Sequence, residues 1–216
     1  AIYRNNGQQC LAGSRILVQR GIAKRFIEAF VERARKIRIG DPLRADTELG
    51  PLAFEQHMQR VLSFADVARS DGAKLLTGGR RSPAHPKGWF MEPTAVLAPD
   101  NDARVCREEI FGPFATFLEF DTLDEAISIA NASNFGLVNY VWSQDLKTAM
   151  RCSRDIRAGT VWLNTPMMRE LRAPFGGYKE SGIGRDGPQA SLEFFTELKS
   201  IIIPIDGVKM HRFGAS

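Results

Sequence analysis

Residues 137–164 read LVNYVWSQDLKTAMRCSRDIRAGTVWLN, and the reading of this stretch decides the fold. LVNYVWS (137–143) and GTVWLN (159–164) are rich in β-branched and aromatic residues, as strands are. Leu146 to Ile156 between them predicts a helix. A strand, a helix of about ten residues and a second strand form the unit from which parallel sheets are built. Outward from this unit the alternation continues. RILVQ (15–19) predicts a strand, and 22–38 a helix that stops at Gly40-Asp41-Pro42. Residues 54–70 predict a second helix with Met58, Val61, Leu62, Ala65 and Ala68 inward. Strands follow at 73–77, at 94–98 before Pro99-Asp100, and at 114–120, then a helix from Leu123 to Ala132. The stretch 165–187 reads as irregular, 189–197 as a helix, and KSIIIPI (199–205) as a terminal strand. The expected fold class is α/β: a mostly parallel twisted sheet with helices on both faces.

The 216 residues suit one domain, and 44% hydrophobic with 25% charged residues is a composition with enough apolar mass for a core. No window approaches the roughly 18 apolar residues of a membrane span, and no charged-then-apolar leader signals secretion. Three cysteines, Cys10, Cys106 and Cys152, are far apart and form no CxxC or Cys/His cluster. That argues against a disulfide framework or a zinc site and predicts a reducing, cytosolic home. The net charge of +4 is slight and scattered. Its densest basic run, Lys24 to Arg38, has Ile22, Phe26, Phe30, Ala34 and Ile37 at helical spacing, so the charges fall on a solvated face. Neither nucleic acid nor membrane is an expected partner.

Four stretches carry candidate chemistry. Cys10 sits in NNGQQCLAGSR (5–15), polar and glycine-flanked, where an unpaired cysteine does not usually hide. A reactive thiol needs access and nearby donors or cations; a packed turn cysteine is the alternative. GIGRDG (182–187) has the GxGxxG spacing of a dinucleotide loop, but a polar loop separates it from the last strand and Pro188 follows at once. A glycine-rich turn needed for backbone approach is the preferred reading. REEIFGPFATFLEF (107–120) places Glu108, Glu109 and Phe111 before a strand, where an acid can bind sugar hydroxyls and an aromatic can flank a planar ring. In MMRELRAPFGGYKESG (167–182), Arg169 and Arg172 are spaced to share a carboxylate, unless they are surface charge.

Together the motifs are far more specific than any alone. NxGQxC followed by AGSR (5–15), EEIFGP (108–113), GTVWLN (159–164) and PFGGYKESGIGR (174–185), in this order, resemble the NAD(P)-dependent aldehyde dehydrogenase superfamily over residues 1 to about 205. The resemblance implies that Cys10 attacks the aldehyde as thiolate, giving a thiohemiacetal, then a thioester that water hydrolyses, with its own N–H as half of an oxyanion hole. It implies that NAD or NADP accepts the hydride, that Glu109 holds the nicotinamide ribose, and that Phe111 lies beside the nicotinamide. It places Glu197 behind the cysteine in a proton relay. The family's general-base glutamate and nucleotide-binding domain have no counterpart in these residues. The resemblance thus implies a catalytic portion, 1–198, inactive by itself, and a strand and tail, 199–216, that join a neighbouring subunit in a homo-oligomer. RELRAPFGG (169–177) resembles members that oxidise carboxylated semialdehydes, with Arg169 and Arg172 orienting the anionic end of the substrate. Two rival readings remain: an oligomerising domain without catalysis, and a cysteine-dependent esterase without nicotinamide.

Overall fold

The computed structural model describes residues 2–207, 213 and 214. Its main sheet has four strands in the order β1-β4-β3-β2: β1 (Arg15–Gln19), β2 (Lys74–Thr77), β3 (Thr94–Leu97) and β4 (Phe114–Phe120). β1, β4 and β3 are parallel and only β2 runs antiparallel, at the edge. The mostly parallel sheet with helices on both faces is therefore the observed class, and the strands 15–19 and 114–120 keep the bounds their sequence predicts.

The pleat of FATFLEF explains the two layers, because successive side chains leave opposite faces of a strand. Ala115 and Phe117 join Val18 and Ala95 under α1 (Arg20–Arg35), with Ala23, Ile27 and Val31. Phe114 and Leu118 join Val96 under α2 (Glu55–Ser70), with Met58, Val61, Phe64 and Ala68. Two details differ from expectation. The α1 stripe is rotated: Ile22 and Phe26 are exposed, while Ala23, Ile27, Val31 and Ala34 are buried. Phe30 packs edge-on against Phe117 at 5.0 Å and so fixes the roll of the helix. On α2, Phe64 rather than Leu62 is fully inside.

A short α3 (Arg104–Arg107) links β3 to β4, and α4 (Leu123–Asn131) follows β4, with Thr122 capping Glu125 N–H at 3.2 Å. The deciding stretch forms the expected unit: β6 (Val138–Val141), α5 (Leu146–Asp155) and β7 (Thr160–Leu163), with the strands parallel and Tyr140 opposite Trp162. This pair forms its own ladder instead of extending the main sheet. Inside the region read as irregular, β8 (Tyr178–Lys179) pairs with β5 (Phe135–Gly136); beyond it the expected last helix is α6 (Pro188–Phe195), with proline at its start.

KSIIIPI is paired with nothing within the described part of the chain. Residues 199–205 form no strand in the described structure, and Ile201, Ile202, Ile203 and Ile205 stand in solvent. A strand is defined by its ladder bonds, and among the described residues no strand pairs with the segment. Most of the tail assigned with it, 208–216, lies outside the described residues. Among the described residues no helix is long and apolar enough to cross a membrane, and no cluster of ligating side chains could hold a metal.

Candidate active site

The loop that carries Cys10 begins in strain. Asn5, Asn6 and Gly7 all have positive φ (50°, 57° and 68°), a left-handed run that two non-glycine residues enter only when their surroundings hold them there. The holding groups are visible. Asn6 Nδ2 donates to Pro51 O at 2.7 Å while its Oδ1 accepts from Gly50 N–H at 3.1 Å. Gln8 Oε1 accepts from Ala53 N–H at 3.0 Å. Gly7 lies against the Gly112 carbonyl so closely that a Cβ would stand 2.0 Å from its oxygen. This contact joins NNGQQC to EEIFGP.

Beyond it, Gln9 to Ala12 make a turn closed by Ala12 N–H to Gln9 O at 3.0 Å, with Cys10 exposed at its crest and Leu11 buried beneath. No hydrogen bond among the described residues engages the Cys10 N–H. An exposed thiol with a free amide beside it is the arrangement that favours attack on a carbonyl and stabilisation of the resulting oxyanion. Arg15 does not face the sulfur. Its guanidinium donates to the carbonyls of Ile129 and Ala130, at 3.0 and 2.9 Å, and to Asn101.

The end of α4 is a joint. Lys179 donates to Asn131 O (2.7 Å) and Ser133 O (2.8 Å), and Asn101 Nδ2 and Arg107 to Ala132 O. Cations are favoured where a helix exposes its last carbonyls. Here they come from AGSR, the run before EEIFGP, and PFGGYKESG, so three of the motifs meet at one helix end.

Glu109 and Phe111 are held by α2. Arg60 donates to the carbonyls of Glu109 and Ile110, both at 2.7 Å, and His57 Nε2 to Phe111 O at 2.8 Å. Phe111 is kept at φ +60°, another strained non-glycine residue, with its ring exposed beside His57. The Glu109 carboxylate is exposed and engaged by no hydrogen bond or ion pair among the described residues. His57 and Arg60, ordinary members of a polar helix face by sequence, are the brackets of this segment.

The two arginines do not converge. Arg172 is bound through Nε and Nη2 to Glu170, at 2.8 and 2.9 Å, and this partner holds the Glu170 carboxyl at about 2, well below the usual range. Arg169 instead lies over the Phe175 ring at 5.6 Å. A shared carboxylate clamp is thus not preformed, because Glu170 already occupies one arm. Their loop does reach the Cys10 turn, through Met167 Sδ, 3.7 Å from Gln9 Nε2. Glu197 is exposed just past α6, and no hydrogen bond or ion pair among the described residues links it to Cys10.

GIGRDG serves as a turn. Phe175 and Asp186 exchange backbone bonds at 2.8 and 2.7 Å, which folds the segment back on itself. Gly176 is pressed between Gly159 and Gly184, where a Cβ on Gly159 would stand 1.6 Å from the Gly176 carbonyl oxygen.

The aldehyde dehydrogenase family model matches residues 1–201. This chain belongs to the aldehyde dehydrogenase family. Among curated relatives it is 41% identical to a 2-aminomuconic 6-semialdehyde dehydrogenase of Pseudomonas sp., over 95% of this chain and 43% of the relative. Among solved structures it superposes on HpcC of Thermus thermophilus with a TM-score of 0.93 at 39% identity, covering 99% of this chain and 42% of that one. Betaine aldehyde dehydrogenase of Staphylococcus aureus, solved in complex with NAD+, gives 0.85 at 42% identity, over 88% and 38%. The chain therefore spans about two fifths of the length of the family members it matches.

Proposed function

We propose that this chain supplies the thiol chemistry of an NAD(P)-dependent aldehyde oxidation, with Cys10 as nucleophile. The observation that carries the reading is the exposed Cys10, its N–H unengaged, on a loop fastened through Gly7 to the segment of Glu109 and Phe111. The sulfur bonds to the aldehyde carbon as the carbonyl π bond opens, and the Cys10 N–H stabilises the oxyanion, an effect worth about 2.7–4 kcal/mol for one such donor. A bound NAD or NADP supplies the hydride acceptor. Glu109 and Phe111 fit such a group: the carboxylate is free to accept from ribose hydroxyls, and the exposed ring offers a flat apolar face. Water then attacks the thioester carbon, releasing acid and thiolate. Glu197 in a proton relay remains part of the proposal, and requires a rearrangement of the exposed chain after α6. The three free cysteines fit a reducing, cytosolic compartment.

Acylation tests the nucleophile without a cofactor. p-Nitrophenyl acetate should give a burst of nitrophenolate with the acetyl group on Cys10 by peptide mass, and Cys10→Ser should reduce the burst by roughly a hundredfold or more. A burst that survives in Cys10→Ser removes this reading.

The substrate we propose is an aldehyde with a carboxylate at its far end. An exposed ion pair such as Glu170–Arg172 is worth little, about 0–1 kcal/mol, so a substrate carboxylate can exchange for Glu170 on Arg172 at small cost. Compared with glutathione, Cys10 should then prefer iodoacetate to iodoacetamide, and Arg172→Ala should lower that preference by about threefold. Equal ratios in both proteins would remove the carboxylate from the proposal. Residues 199–205 we assign to pairing with a second copy of the chain, since an exposed isoleucine run seeks cover. Replacing Ile202 and Ile203 by lysine should shift the mass by light scattering towards the monomer; an unchanged mass argues for another interface.

A further inference from the structure

Tyr140 and Trp162 stack face to face across β6 and β7, with ring centroids 5.1 Å apart and planes 11° from parallel. Each directs its one polar atom to backbone outside its own ladder. The Tyr140 hydroxyl donates to Leu11 O at 2.8 Å across 129 residues of sequence, and Trp162 Nε1–H to Met168 O at 2.7 Å. Leu11 is the second central residue of the Gln9–Ala12 turn, and Cys10 is the first. The turn is thus pinned twice, by the burial of the Leu11 side chain and by the phenol on its carbonyl. Burial first, and then the charge of Cys10, pushes the phenol up to about 12, so it stays protonated and donating through the neutral range.

We propose that Tyr140 is a positioning residue for Cys10, and that its stack on Trp162 ties the pose of the nucleophile turn to the 165–172 loop carrying Arg169 and Arg172. The inference rests on the reading of Cys10 as nucleophile. A thiol at the crest of a free turn samples many poses, while attack needs the sulfur within about 3–3.5 Å of the carbon and aligned with it. One bond to the adjoining carbonyl removes the hinge. The ring pair, stiff in its two side-chain torsions, carries any displacement of Met168 towards Leu11. Met167 beside Gln9 is a second strand of the same tie.

The test uses the native full chain and alkylation of Cys10 by two electrophiles, small iodoacetamide and bulky N-phenylmaleimide. Tyr140→Phe keeps the ring and the stack and deletes only the donor. Trp162→Phe keeps an aromatic partner and deletes the tie to Met168. A net hydrogen bond of about 1 kcal/mol corresponds to roughly fivefold. In Tyr140→Phe the bulky reagent should therefore react about fivefold faster, as the turn swings out, while iodoacetamide stays within about twofold. Trp162→Phe should fall between this variant and the parent. An unchanged ratio of the two rates overturns the proposal. So does faster labelling of Cys106 and Cys152 in parallel, because the phenol would then hold the whole domain and not the turn. If Cys10 is not the fastest cysteine in the parent, the nucleophile reading fails on its own account and takes this inference with it.

Discussion

Iodoacetamide at neutral pH should alkylate Cys10 roughly a hundredfold faster than Cys106 or Cys152. The three thiols differ in two independent ways. Cys10 is exposed at a turn crest, whereas the other two are buried. Burial also pushes the Cys106 thiol up to about 11, against a smaller opposing effect of Arg15, and raises Cys152 from the usual thiol range. Only the thiolate reacts, so near pH 7 about one Cys106 in ten thousand is competent, before any barrier to access is counted. The sign follows from the raised value: the Cys106 rate should climb about tenfold per pH unit and level off only above about 11. Peptide mapping after short exposure, from pH 6 to 10, reads all three sites at once. Comparable rates at neutral pH would mean that Cys10 is shielded by a contact the fold does not display.

The strands 15–19 and 114–120 and the exposed position of Cys10 were legible in the sequence because each rests on a local cause. FATFLEF is a nearly continuous apolar run, as a strand buried on both faces requires, and its boundaries are those observed. Cys10 was conspicuous because it sits in a polar, glycine-flanked stretch and not in an apolar run. The α1 stripe was misread by one position for an equally physical reason. Two apolar series run along that helix, 22/26/30 and 23/27/31, and only long-range packing on the sheet selects the second: Ala23, Ile27 and Val31 are buried with Ala95, Ala115 and Phe117, while Phe30 lies at the border of the cluster against Phe117. Long-range brackets were invisible for the same cause. Nothing near Arg60 or His57 announces that their partners are the carbonyls of residues 109–111. Tyr140 and Trp162 were nearer to legible: once 138–141 and 160–163 are paired in parallel register, the two aromatics fall opposite each other. The arginines show the limit of spacing arguments. Arg169 and Arg172 are three apart, but Glu170 between them takes one, and a ring takes the other. KSIIIPI shows a different limit, since an apolar β-branched run states that it seeks an edge without stating whose.

Gly7→Ala should lower the melting temperature by about 10 °C or more. Two costs add. At φ +68° an alanine is strained by about 1–3 kcal/mol whatever surrounds it. The new Cβ would also meet the Gly112 carbonyl, 2.0 Å from the oxygen and 2.4 Å from the carbon. That carbonyl cannot step aside freely, because it accepts from Phe114 N–H at 2.7 Å, and its neighbour Pro113 O accepts from Thr94 N–H at 2.8 Å at the mouth of the main sheet. Relief must come from the Cys10 loop, and a total of about 3–5 kcal/mol is in the range where a named backbone clash, and not a generic surface change, is responsible. The displaced loop would carry Cys10 away from Glu109 and Phe111, so the acylation burst should fall along with stability. Gly21→Ala is the matched control: it lies in α1 with nothing within 4 Å of its Cβ, and should leave the melting temperature unchanged or slightly higher. Equal melting of the two variants would mean that the NNGQQC loop does not rest on EEIFGP, and the contact that assembles the proposed site would be lost with it.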